Sequence, residues 1–210
     1  PSDQVTLPVA LAERMDMLSV AFSLKMIPSG SADPFALRRM AQGVVQIVLG
    51  KQLPLGWEEL SSLSVQILRD QQEFTNEPYI LEKQLVDFLD QRERWYLQEK
   101  GFRHDLIDAV LKSTSGTTLN RLNFASTLSE DLNLPEFKKS VEAFVRAINI
   151  TNKYAEESQT AKLEEESLTH EAELALYQAL EAMVLDSESS PQQYLITLYQ
   201  LESSICLLYT

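Results

Sequence analysis

Apolar residues recur along this chain at intervals of three and four, the period that lays side chains on one face of an α-helix. Leu11, Met15, Leu18 and Phe22 form such a face and predict a helix over about 9–26. Ile27-Pro28-Ser29-Gly30 reads as a turn. Asp33-Pro34 then predicts a second helix start, with Asp33 capping free N–H groups and Pro34 in the first turn, where its missing N–H costs nothing. Phe35, Leu37, Val44, Val45 and Val48 belong to that helix, and Gly50 is placed to end it. Leu53-Pro54-Leu55-Gly56 reads as a linker. Further helices are expected over about 57–74, 78–100, 105–112, 119–128, 134–155, 171–185 and 191–208. The one from Pro78 carries Leu81, Leu85, Phe88, Leu89 and Tyr96 and stops at Gly101. Glu156–Thr169 is polar and charged, a loop or a solvated helix extension. No stretch alternates like a strand between tight-turn dipeptides. The expected fold is all-α, a helical bundle of two packed helical subdomains.

Composition narrows the classes. The chain has 210 residues, 44% apolar and 23% charged. A chain this long buries roughly 70% of its unfolded surface and needs no covalent staple. One cysteine, Cys206, excludes a disulfide framework or a thiolate zinc site, and two histidines exclude a His-rich metal cage. No metal is expected. No apolar run reaches roughly 18 residues, so no membrane span is expected. No charged-then-apolar leader opens the chain, so the expected setting is reducing and cytoplasmic. Net charge is −13, which taken in bulk argues against nucleic-acid binding. The charge is uneven, however. Residues 151–190 hold ten acidic side chains against two lysines, a net of −8, and the remaining 170 residues carry only −5. Basic faces can exist outside the acidic stretch.

Few residues carry chemistry. His104-Asp105 has the look of a metal-binding pair, but a helix start with Asp105 on the positive end of the dipole accounts for it. Ser115-Gly116 lacks the G-x-S-x-G elbow of a nucleophile and reads as a linker. No glycine-rich phosphate loop is present. Cys206 reads as a small core residue. Arg38 and Arg39 are adjacent and cannot share one helical face, so one is free to pair internally while the other projects, to a salt bridge or to a phosphate. In the helix from Pro135, Phe137, Val141, Phe144, Val145 and Ile148 are expected on one side. Lys139, Arg146 and Lys153, seven apart, form a stripe opposite, flanked by Asn149 and Asn152 and interrupted by Glu142. A basic stripe with amides can hold a nucleic-acid backbone and read base edges; it is also what a solvated face looks like. In Gln91-Arg92-Glu93-Arg94-Trp95-Tyr96, one aromatic is expected in the core and the other at its margin, where it could stack on a base.

Taken together, several stretches resemble the C-terminal part of the β subunit of bacterial glycyl-tRNA synthetase, the heterotetrameric type. Leu11-Ala12-Glu13-Arg14-Met15-Asp16 matches the family's "ADKLD"-like helix. Ile27 to Arg39 matches its "PTGSKDPFALRR" segment, followed by the small residues Ala41 and Gly43. Phe88-Leu89-Asp90-Gln91-Arg92, Gly101 to Val110, Phe144 to Ile150 with Lys153, and Glu173 to Tyr177 follow in the family's order.

The resemblance implies that residues 1–55 are the C-terminal part of an HD-type helical domain. It implies that 56–210 are a helical anticodon-binding domain, truncated at its C-terminus, because Ile205 to Thr210 lack the family's aromatic and Val/Met-rich end. The family's α subunit handles ATP, with Mg, and activates glycine; the β subunit recognises tRNA. The chain is then a non-catalytic tRNA-binding piece of a ligase, with no cofactor of its own. Its implied partners are glycine tRNA, rather than DNA, and the α subunit. The implied tRNA contacts are Arg38, Arg39, Arg92, Arg146, Asn149 and Lys153. Two departures remove cations: Val145 and Ala32 stand where the family often has lysine. Asp16 matches the last acid of HD-type metal sites without their upstream histidines, which disfavours a phosphohydrolase. The alternative to tRNA binding is a helical scaffold that docks the α subunit or braces the rest of β. Salt bridges from Asp33 or Asp90 to nearby arginines fit that alternative.

Overall fold

A computed structural model describes residues 5–71, 77–112, 117–158, 168–181 and 190–207, with the backbone alone at 153–158, 203, 204, 206 and 207. Among these residues every regular element is a helix. They are α1 (Thr6–Ser23), α2 (Leu37–Gly50), α3 (Trp57–Gln71), α4 (Pro78–Glu99), α5 (His104–Lys112), α6 (Thr118–Asp131), α7 (Pro135–Ser158), α8 (Glu171–Glu181) and α9 (Pro191–Leu207). None is long and apolar enough to cross a membrane. The chain divides into two compact units, Pro1–Ser126 and Thr127–Thr210.

In the first unit α1 to α4 pack on one another and α5 packs on α4. The expected faces are buried: Leu11, Met15, Leu18 and Phe22 of α1, Val44, Val45 and Val48 of α2, and Leu81, Leu85, Phe88 and Leu89 of α4 share one core. Three helices stop in the same way. The residue after the cap turns left-handed, and its own N–H and that of the next residue reach back to carbonyls of the last turn. Gly101 (φ 87°) does this for α4, where Phe102 N–H bonds the Leu97 carbonyl. Lys25 (φ 59°) and Gln52 (φ 53°) do it for α1 and α2. Helix α2 ends at Gly50 as expected, with Gly50 its last helical residue and Gln52 in the left-handed position.

A buried polar knot closes this unit. Glu93 is fully buried; one of its carboxylate oxygens accepts the Trp57 indole N–H, and Arg121 donates to both. A third bond of Arg121 reaches Asp90 at 3.3 Å. Nearby, the Thr118 hydroxyl and N–H both bond the Leu55 carbonyl. The segment boundary at 55/56 therefore lies inside the first compact unit, because the linker is stitched to α6 and Trp57 is wholly buried.

In the second unit α9 packs on α7 and α8, around Ala143, Leu201 and Ile205. Ser190 and Gln193 cap α9 reciprocally, as the Ser-Pro start predicts. The face of α7 differs from expectation. Ser140 and Ala143 are its buried residues, with Phe144 and Ala147 partly covered, while Val141, Val145 and Ile148 are exposed. Small side chains let α9 approach α7 closely, and that contact prevails over the larger aliphatics one flank away. Ser115-Gly116 lies outside the described residues, as do most of 156–169, the Cys206 side chain and the last three residues.

Candidate functional site

The segment before α2 is built by Asp33. Its carboxylate accepts the N–H groups of Leu37 and Arg38 at 2.8 and 3.0 Å, so the helix starts at Leu37 and Pro34 sits in the turn before it. Phe35, expected on the helix face, is exposed. Ala36 is left-handed (φ 55°), a conformation that costs an alanine roughly 1–2 kcal/mol. With Asp33 spent on two N–H groups, Arg38 gains no salt bridge from it. Its Nη2 donates to the Gly30 carbonyl at 2.8 Å, which pins the tight Ser29–Ala32 turn against the helix.

The charges of Arg38 and Arg92 act on each other. Arg92 lies over the Phe88 ring, 5.7 Å from its centroid, and Phe88 meets the edge of Phe22. The Nε of Arg92 is buried and has no hydrogen-bond partner. Burial holds its guanidinium below the ordinary arginine pKa; the neighbouring charge of Arg38 adds to this and Asp33 opposes it. Arg38 also borders a cleft of about 290 Å³ with Ile27, Pro28, Asp87, Phe88 and Gln91. Neither arginine forms an ion pair among the described residues. Two like charges that act on each other are an arrangement that an anion would relieve.

Arg39 points elsewhere, as adjacency requires. It is exposed and borders another cleft with Arg14 of α1. In the second unit Arg146 and Asn149 are exposed on α7, Arg146 on the Lys139 flank and Asn149 on the outward crest. The exposed Val141, Val145 and Ile148 line the other flank. The Lys153 backbone continues α7; its side chain lies outside the described residues.

Other charged candidates are internal. Arg94 pairs with Asp108, and Arg103 pairs with Asp105 at 2.6 Å. Asp105 also accepts the Leu106 N–H in the first turn of α5, the helix-start role expected of it. Hydrogen bonding to Arg103 and Arg94 holds the Asp105 and Asp108 carboxyls below the usual range. Asp90 pairs with Arg121, 31 residues away, and not with an arginine beside it in sequence. Trp95 is exposed and Tyr96 packs against the core, the division expected of the pair. The spacing Phe88…Arg92 was a readable sign of stacking on one helical face. Arg14 carried no such sign, because its place depends on Gly43 in another helix.

The model of the glycyl-tRNA synthetase beta subunit family matches residues 1–112, more than half of the chain. Among curated relatives, a glycine–tRNA ligase beta subunit of Halalkalibacterium halodurans is 39% identical over 73% of this chain and 22% of its own length. That of Bacillus subtilis is 36% identical over 73% and 21%. That of Desulfitobacterium hafniense is 35% identical over 82% and 24%. The chain thus spans less than a quarter of the length of these relatives.

Proposed function

Because the chain belongs to the glycyl-tRNA synthetase beta subunit family, we propose that it is the tRNA-holding, C-terminal part of such a subunit. It contributes to the attachment of glycine to tRNA by positioning the RNA, while ATP and glycine are handled by the α subunit with which it assembles. Residues 1–55 belong to an HD-type helical domain and 56–210 to the anticodon-binding domain. In this reading the contacts are Arg38, Arg39, Arg92, Arg146, Asn149 and Lys153.

Arg38 and Arg92 carry the reading. In a chain with 31 acidic residues, Arg38 and Arg92 form no ion pair among the described residues, their charges oppose each other, and Asp33 offsets this only in part. A phosphate is the anion that the outward N–H groups of two such guanidiniums would take. On α7, the exposed aliphatics of one flank offer apolar contact to splayed bases, while Asn149 on the crest and Arg146 on the other flank offer donors to their edges.

One observation favours the scaffold alternative. An apolar cleft of about 610 Å³ runs between α1 and α3, bordered by the exposed Val9, Leu63 and Ile67. The separating experiment is titration of the chain with glycine tRNA, natural and with a changed anticodon, at low and moderate salt. Tighter binding of the natural anticodon is expected. Absent binding, with the fold intact, would transfer the function to docking.

A further inference from the structure

We infer that Arg14 and Arg39 form a second phosphate subsite, on the α1 side of α2, which takes one backbone phosphodiester of the bound RNA. This rests on the RNA-holding reading above. The two side chains border a cleft of about 290 Å³ whose other walls are Glu13, Ala36 and Met40. Arg39 projects from the first turn of α2, exposed and without an ion pair among the described residues.

Arg14 is laid into place by a glycine. A Cβ built on Gly43 would stand 2.6 Å from the Arg14 Nε and 3.2 Å from its Cδ. Any larger residue there would displace the side chain. With Gly43 present, the stem of Arg14 lies against the α2 backbone, and Nη1 donates to the Ala10 carbonyl at 2.7 Å. Its contact with Glu13 is long, 3.4 Å, and Glu13 is 68% exposed, so that pair neutralises little. Two guanidinium forks therefore face one cleft against one solvated carboxylate. A phosphodiester has two non-bridging oxygens, one for each fork. The choice of RNA over an acidic protein segment follows from the neighbouring Arg38–Arg92 pair. Two arginine pairs, one on each side of α2, match the repeated phosphates of a strand.

The test is the salt dependence of glycine tRNA binding by the full chain, with the fold of each variant checked by circular dichroism. Arg14→Gln and Arg39→Gln are each expected to weaken binding several-fold at low salt. Each should lower the slope of log K against log salt by about one. The double variant should lower it by no more than that, because both arginines serve one phosphate. Gly43→Ala keeps both cations and should weaken binding as Arg14→Gln does. Unchanged slopes for Arg14→Gln and Arg39→Gln, with a lowered slope for Arg38→Gln, would overturn the subsite and leave RNA binding standing. A drop of about two in the double variant would overturn the shared phosphate. Lost binding of the α subunit with tRNA binding intact would assign the arginines to a protein carboxylate instead. Failure of the unaltered chain to bind tRNA would remove the RNA reading and this subsite with it.

Discussion

Trp57 donates its indole N–H to Glu93 at 2.6 Å across 36 residues of chain, and both side chains are fully buried. Arg121 completes the arrangement from α6 at 2.5 Å. The three groups satisfy one another out of reach of water, so removing any one leaves a buried polar group exposed to its own desolvation cost.

Trp57→Phe removes one donor and keeps much of the aromatic volume. It should destabilise the chain by about 1–3 kcal/mol. Arg121→Met removes the only cation on Glu93 among the described residues and should cost more, about 3–5 kcal/mol. Urea unfolding measures both. Equal costs for the two variants would contradict the primacy of the ion pair.

Glu93 also predicts a pH dependence. Burial raises its carboxyl above the ordinary 4.5, with Arg121 and Trp57 opposing. Asp90 is raised above 3.8, again chiefly by burial. The folded chain therefore binds these protons more tightly than the unfolded chain. Their stabilising contribution is complete below the ordinary values and is lost as pH rises through the raised ones. Compared with Glu93→Gln, the unaltered chain should lose stability as pH climbs from 4.5. A difference that is flat with pH, in urea midpoints taken from pH 4 to 8, would remove Glu93 as the titrating group.

Asp33→Ala should lower stability by about 1–2 kcal/mol, since both N–H groups at the start of α2 lose their acceptor. It should also loosen Arg38, whose own N–H is one of the two. Hydrogen exchange at Leu37 and Arg38 should accelerate. Protection equal to that of the unaltered chain would show that another group takes over the cap.

Arg146→Ala on the exposed flank of α7 should leave unfolding unchanged. It should lower the salt slope of tRNA binding by about one if the guanidinium meets a phosphate. An unchanged slope would sink that contact.

Most helices were legible because burial in a bundle imposes a period, and Leu81, Leu85, Phe88 and Leu89 display it openly. Gly101 and Ser190-Pro191 were legible because their backbone needs are local. The turning of α7 was hidden. Ser140, Ala143 and Ala147 weigh little in an apolar pattern, yet smallness is what seats α9 there. The ends of α1 and α2 fall close to where they were expected, but their form was hidden, because Lys25 and Gln52 occupy left-handed positions where sequence logic looks for glycine. The candidate site was half legible. Arg38, Arg39 and Arg92 could be named from motif and spacing. That Asp33 would cap and not pair, that Arg92 would be left with an unused donor, and that Arg14 would cross Gly43 are products of packing between helices.

The knot around Glu93 sets where this unit can be cut. A chain ending at Lys112 would keep every residue that the family model matches, yet lose both Thr118 and Arg121. Glu93 would face its apolar surroundings with an indole for company, and the Leu55 linker would come unstitched. Helix α6 is thus a keystone set late in the chain. During synthesis the first five helices can gather as they emerge, but their centre closes only once residue 121 has cleared the ribosome. A protease that nicks ahead of Thr118 should open the centre of the first unit while the second, with its own core around Ala143, Leu201 and Ile205, stays folded.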